Sequence, residues 1–139
     1  MLASIGYAVA YTGVGLALLA LGFLALDLLT PGHLGRHIYE HRSLNAALVL
    51  SAGFLAQGMI IFATIWTNAT SGFGTALLYT VVFGVLGVVL QAVAFVLLDL
   101  ITPGRLGATL TEPGFHPAAL VSAAAQLAVA AIIVASIWP

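Results

Sequence analysis

The stretch Asp99-Leu100-Ile101-Thr102-Pro103-Gly104 restates Asp27-Leu28-Leu29-Thr30-Pro31-Gly32 at a distance of 72 residues. The same offset carries Leu106-Gly107 onto Leu34-Gly35, and Phe95, Gly87 and Tyr79 onto Phe23, Gly15 and Tyr7. It also carries Ile132-Ile133, Ile137 and Trp138 onto Ile60-Ile61, Ile65 and Trp66, with no gap from Tyr7 onward. The chain reads as one unit written twice: residues 1–72 form the first membrane repeat and residues 73–139 the second, together one compact membrane domain.

The surroundings of the motif are almost wholly apolar. Of 139 residues, 63% are hydrophobic and 5% charged, and the mean hydropathy is +1.21. A soluble domain carries about 25% charged residues, so this chain cannot cover a water-facing surface and its expected solvent is the lipid bilayer. Crossing the hydrocarbon takes roughly 20 apolar residues as a helix. Four stretches qualify: residues 4–29, 45–67, 75–101 and 117–138. Lipid offers the backbone no hydrogen-bond partner, so each stretch must be a helix or part of a closed barrel. Runs this long, without the alternation of barrel strands, predict helices. The expected fold is all-α and integral to the membrane, with four transmembrane helices built as two tandem two-helix repeats. Each repeat holds an even number of spans, so the repeats run parallel, related by a pseudo-twofold axis along the membrane normal.

Charge sets the direction. Arg36 and Arg42 follow the first span and Arg105 follows the third, while the middle loop, residues 68–74, carries no charge. The positive-inside rule therefore puts loops 31–44 and 103–116 in the cytoplasm and both termini outside. Tyr7, Trp66, Tyr79 and Trp138 cluster at the predicted outer boundary as an aromatic belt. A net charge of −1 gives no long-range attraction to nucleic acid, and the absence of cysteine removes disulfides and thiolate metal sites. No cleavable leader is expected, because the first apolar stretch is too long, lacks a basic start and is the mate of an internal segment.

Within the motif, proline lacks an N–H and cannot bond the carbonyl four residues earlier, which in both copies belongs to the Asp. The residue before proline also avoids helical geometry, so the helix is expected to stop at Thr30 and Thr102. Each Thr then suits the N-cap of a following segment, with Pro31 or Pro103 at its first position. The carboxylates of Asp27 and Asp99 would gather with free carbonyls at the cytoplasmic ends of spans one and three. Such oxygen clusters, in motifs that end at Gly32 and Gly104, suit a cation or a proton. The alternative is structural: each Asp pairs with a loop Arg or loop N–H groups and locks the turn, since an acid near a helix C-terminus needs a local partner.

A doubled two-span unit ending in this Asp-Leu-Leu-Thr-Pro-Gly turn, followed by a short polar loop and Asn45-Ala46-Ala47, resembles the bacterial inner-membrane family called domain of unknown function 350. The resemblance covers nearly the whole chain. It departs at Pro117, which stands where the first repeat has Asn45, and in the fewer charges of the second loop. It implies a small four-span protein of the bacterial inner membrane, in some genomes encoded near polyamine-related or ATP-grasp enzymes, with no catalytic residues to carry over.

Three further groups bear on chemistry. His33, His37 and His41 are spaced four apart and would stack on one helical face, as a zinc or copper site requires. The second repeat has Arg105, Thr109 and Pro113 there, and glycine and proline disfavour a helix, so a solvated loop is the alternative. The aligned Glu40 and Glu112 balance nearby Arg. Gln57, Gln91 and Gln126 fall near mid-membrane, joined by Ser51, Ser122 and Thr12. They read as interhelical hydrogen-bond donors or as a polar track. Small residues mark faces where helices approach closely: Gly13, Ala17, Ala20 and Gly22 in the first span, and Ala124, Ala128, Ala131 and Ala135 in the fourth.

No nucleophile elbow, phosphate loop or mid-depth carboxylate pair is present. The expectation is a non-catalytic protein without cofactor, a self-associating or accessory subunit whose partners are the lipid bilayer, further copies or other membrane subunits. The alternative is a channel or transporter component that passes a proton, cation or polyamine through the two Asp-x-x-Thr-Pro-Gly sites.

Overall fold

The computed structural model describes residues 1–29, 44–101 and 114–138. Four helices make up nearly all of it: α1 (Leu2–Leu29), α2 (Leu44–Thr67), α3 (Phe73–Ile101) and α4 (Pro117–Ile137). All four are long and apolar enough to cross a membrane. Even α4, with 21 residues, reaches the roughly 30 Å of hydrocarbon at about 1.5 Å per residue. Their bounds lie within two residues of the sequence expectation.

The helices alternate in direction. Residues 68–72 turn the chain between α2 and α3, where the Asn68 side chain donates to the Thr64 carbonyl at 2.8 Å and covers an end-of-helix acceptor. Gly72 closes that turn at φ +89°, a left-handed conformation that glycine adopts without steric cost. The starts of α1 and α3 meet where Phe73 stacks on Tyr7 at 4.4 Å and meets Tyr11 edge-on at 5.5 Å. At the opposite end Leu26 of α1 and Phe95 of α3 share a cluster with Ala46 and Val49 of α2 and Ala119 of α4. Phe23, Leu98 and Ala118 pack around it, so three pairs 72 apart meet in one place: Phe23 with Phe95, Leu26 with Leu98, Ala46 with Ala118.

Helix α2 is the most buried and packs most extensively on α4, whereas α1 buries little besides Gly15, Leu18 and Leu26. A second cluster, Ala56, Ile60, Ala130 and Ile133, continues the α2–α4 seam. The buried stripes of these two helices correspond at an offset of 73, as from Ala46 to Ala119, Gly53 to Gln126 and Ile60 to Ile133. One residue turns a helix by about 100°, so α4 presents to α2 a face rotated from the one the 72-residue offset names.

The small-residue faces divide accordingly. Gly22 approaches Val88 of α3, but Gly13, Ala17 and Ala20 are exposed, and nothing lies within 4 Å of a Cβ placed at Gly13. The alanine stripe Ala124, Ala128, Ala131 and Ala135 faces outward along its whole length. The bundle instead uses Gly53, Gly84 and Gly87 for close approach. A Cβ at Gly84 would collide with the Leu18 side chain of α1.

Candidate functional site

The polar core is built from side-chain amides. Gln57 of α2, Gln91 of α3 and Gln126 of α4 come from three helices and line one small cavity near the middle of the bundle. The cavity measures about 20 Å³ and is otherwise walled by apolar residues that include Gly22, Leu26, Gly53 and Val88. Gln57 donates through Nε2 to the Gly84 carbonyl at 2.8 Å, crossing from α2 to α3. Gln126 donates through Nε2 to the Val49 carbonyl at 3.3 Å, crossing from α4 to α2. Both acceptors are main-chain oxygens, which have a second lone pair beyond any helical bond.

Glycines make room for these amides. A Cβ at Gly53 would lie 2.8 Å from Gln126 Oε1, and one at Gly87 would lie 3.2 Å from Gln57 Oε1. Gln57 Oε1, Gln91 Nε2 and Ser122 Oγ are buried and have no hydrogen-bond partner among the described residues. The wider polar track expected from sequence is narrower in fact. Ser122 is buried, but Ser51 and Thr12 face outward. The buried hydroxyls of Thr64 and Thr80 return to the carbonyls four residues back, of Ile60 and Ala76, at 2.8 Å each.

A second polar feature joins the two halves near the start of α4. Asn45 is fully buried; its Nδ2 donates to the Gly114 carbonyl at 2.9 Å and its Oδ1 accepts the His116 N–H at 2.8 Å. His116 in turn caps α4, its Nδ1 accepting from the Ala118 N–H at 3.1 Å, with Pro117 at the first helical position. Sequence reasoning used Asn45 only as a family mark and missed this brace. Its one signal was an uncharged polar residue at the head of an apolar span.

Asp27 and Asp99 sit half-buried near the same end of the bundle, each engaged in a polar or electrostatic interaction, as are the neighbouring Leu26 and Leu98. The rest of both motifs, Thr30, Pro31, Gly32, Thr102, Pro103 and Gly104, lies outside the described residues, as do His33, His37, His41, the three Arg and both Glu. Among the described residues no group of three His, Cys, Asp or Glu is arranged to hold a metal. Tyr7, Trp66, Tyr79 and Trp138 are all well exposed.

This four-helix arrangement has relatives. The family model described as Domain of Unknown Function (DUF350) matches residues 1–137. The chain belongs to the DUF350 family. Curated relatives of this DUF350 protein carry the name UPF0719 transmembrane protein. That of Mycolicibacterium paratuberculosis is 36% identical over 127 residues, covering 91% of this chain and 83% of that protein. Those of Mycobacterium bovis and Mycobacterium tuberculosis are each 35% identical over 129 residues, covering 93% of this chain and 84% of theirs. No solved structure matches. The DUF350 chain is thus a multi-pass transmembrane protein of an uncharacterised family.

Proposed function

We propose that the chain is a non-catalytic subunit of a bacterial inner membrane, assembling with further copies of itself or with other membrane proteins. The observation that carries this is the outward face shared by α2 and α4. There Gly58, Ala131 and Ala135 form the floor of an apolar groove of about 900 Å³, walled by Met59, Phe62 and Trp138. Small residues at a lipid-facing surface let another helix backbone approach closely, the main source of helix association where no hydrophobic drive exists. The alanine stripe of α4 extends the same face. Termini outside and the two Arg-bearing loops in the cytoplasm complete the reading, on the distribution of Arg36, Arg42 and Arg105.

The chain is further read as two tandem two-helix repeats about a pseudo-twofold axis. The 72-residue offset supports this, together with the meeting of Phe23 with Phe95, Leu26 with Leu98 and Ala46 with Ala118 in one cluster. Neither enzymatic chemistry nor nucleic acid enters the proposal.

The test is mass analysis of the protein extracted from its native membrane in the mildest effective detergent. Recovery with stoichiometric unrelated subunits, or as a homo-oligomer, supports assembly; a lone monomer at native concentration overturns it. One observation favours a second reading, a cation or proton pathway: Asp27 and Asp99 lie 72 apart in sequence and come to the same end of the bundle. Asp27→Asn with Asp99→Asn keeps the side-chain size. Loss of ion or polyamine flux in proteoliposomes with normal accumulation would replace the subunit reading with transport.

A further inference from the structure

We propose that the cavity between Gln57, Gln91 and Gln126 is a binding site for one structural water molecule, which bridges Gln57 Oε1 to Gln91 Nε2. Three observations carry this. The first is burial: Gln57 is 1% exposed and Gln91 8%, and both line the same cavity. The second is the state of their hydrogen bonds. Gln57 commits one of its two amide N–H groups to the Gly84 carbonyl and has Oε1 as an unpaired acceptor, while Gln91 has Nε2 as an unpaired donor. The two do not bond each other. In a hydrocarbon-like interior neither atom can turn to bulk solvent, so each strongly favours a guest.

The third observation is size. The cavity of about 20 Å³ is small and has room for a water molecule. Chemistry then selects the guest. A bare cation would meet the Gln91 N–H, which repels it, and would find no carboxylate in the lining. An anion would face the Gln57 oxygen. A guest that both donates and accepts fits both walls, and water is the smallest available. Turning the Gln91 amide over would present an oxygen instead, and water, with two hydrogens, bonds that pair equally well. The remainder of the lining is apolar and offers the molecule no competing polar partner. Polar contacts to α2 and α3 through this water would complement the direct Gln57–Gly84 bond between the same helices.

The experiment is water-to-amide magnetisation transfer by NMR on the full chain in lipid nanodiscs, with the glutamine side-chain amides assigned. The expected result is a cross-peak between the Gln91 Nε2 protons and a long-lived water, of the sign given by a molecule tumbling with the protein. Gln57→Met removes one wall of the site and should abolish that cross-peak. Ala92→Val fills the cavity and should abolish it without touching either amide. Wild-type Gln91 amide protons that contact only protein protons would overturn the proposal. So would a cross-peak of undiminished intensity in a folded Ala92→Val variant. The wild-type spectrum alone decides the matter if either variant fails to fold.

Discussion

Asn45, at the head of α2, accepts the backbone N–H of His116 at 2.8 Å, across 71 residues of chain. With its Nδ2 on the Gly114 carbonyl, the amide imitates one rung of a β-ladder and pins the approach to α4 against α2. Replacing it by Leu removes two hydrogen bonds, to the exposed Gly114 and the half-buried His116, each worth about 0.5–1.5 kcal/mol. Asn45→Leu is expected to lower stability by about 1–3 kcal/mol, read as an earlier thermal transition in detergent. A shift no larger than that of a surface substitution would show that the brace contributes nothing.

Gly84 and Gly13 make a matched pair. Gly84→Ala drives a methyl into the Leu18 side chain, and overpacking of this kind costs about 1–3 kcal/mol. Leu18→Ala in the same chain should recover part of that loss. Gly13→Ala meets nothing within 4 Å and is expected to be neutral or slightly stabilising. Equal destabilisation by both substitutions in a thermal aggregation assay would contradict the packing described.

Gln126→Met keeps the length of the side chain and removes its bond to the Val49 carbonyl. Interhelical hydrogen bonds in membranes average about 0.6 kcal/mol. The variant should therefore fold, with a loss of that order in a reversible unfolding titration. Complete failure to accumulate would assign Gln126 a far larger role than one long hydrogen bond explains.

The orientation is tested by single cysteines, which the wild-type chain lacks. Ser71→Cys, in the exposed turn before α3, should react with an impermeant thiol reagent added outside intact cells. Ser43→Cys should react only after the membrane is opened. The opposite pattern reverses the direction of all four spans.

Much of the fold was legible because one physical demand dominates: an apolar chain must satisfy its backbone internally. The four helices follow from that, and so do their lengths. Which face each helix turns inward does not, because a helix apolar on every side carries no stripe to read. Ala124, Ala128, Ala131 and Ala135 have the spacing of a packing seam yet face outward, while Ala119, Ala123 and Ala130 are buried. The one-residue rotation between α2 and α4 is hidden for the same reason. The depth of Gln57, Gln91 and Gln126 could be counted along the chain, but their convergence depends on helix rotation. The Asn45 bonds depend on contacts about 70 residues distant, and no local pattern announces them.

The strongest helix pairing in the bundle, α2 with α4, joins elements that the ribosome makes far apart in time. When α2 enters the bilayer, the α4 residues that will pack on Val49, Gly53 and Ile60 have not yet been synthesised, whereas Leu26 of α1 has. Until the second half follows, the first hairpin lacks the His116 partner of Asn45 and the Gly84 partner of Gln57. Completion of the fourth span is then the step that converts an inserted chain into a folded one.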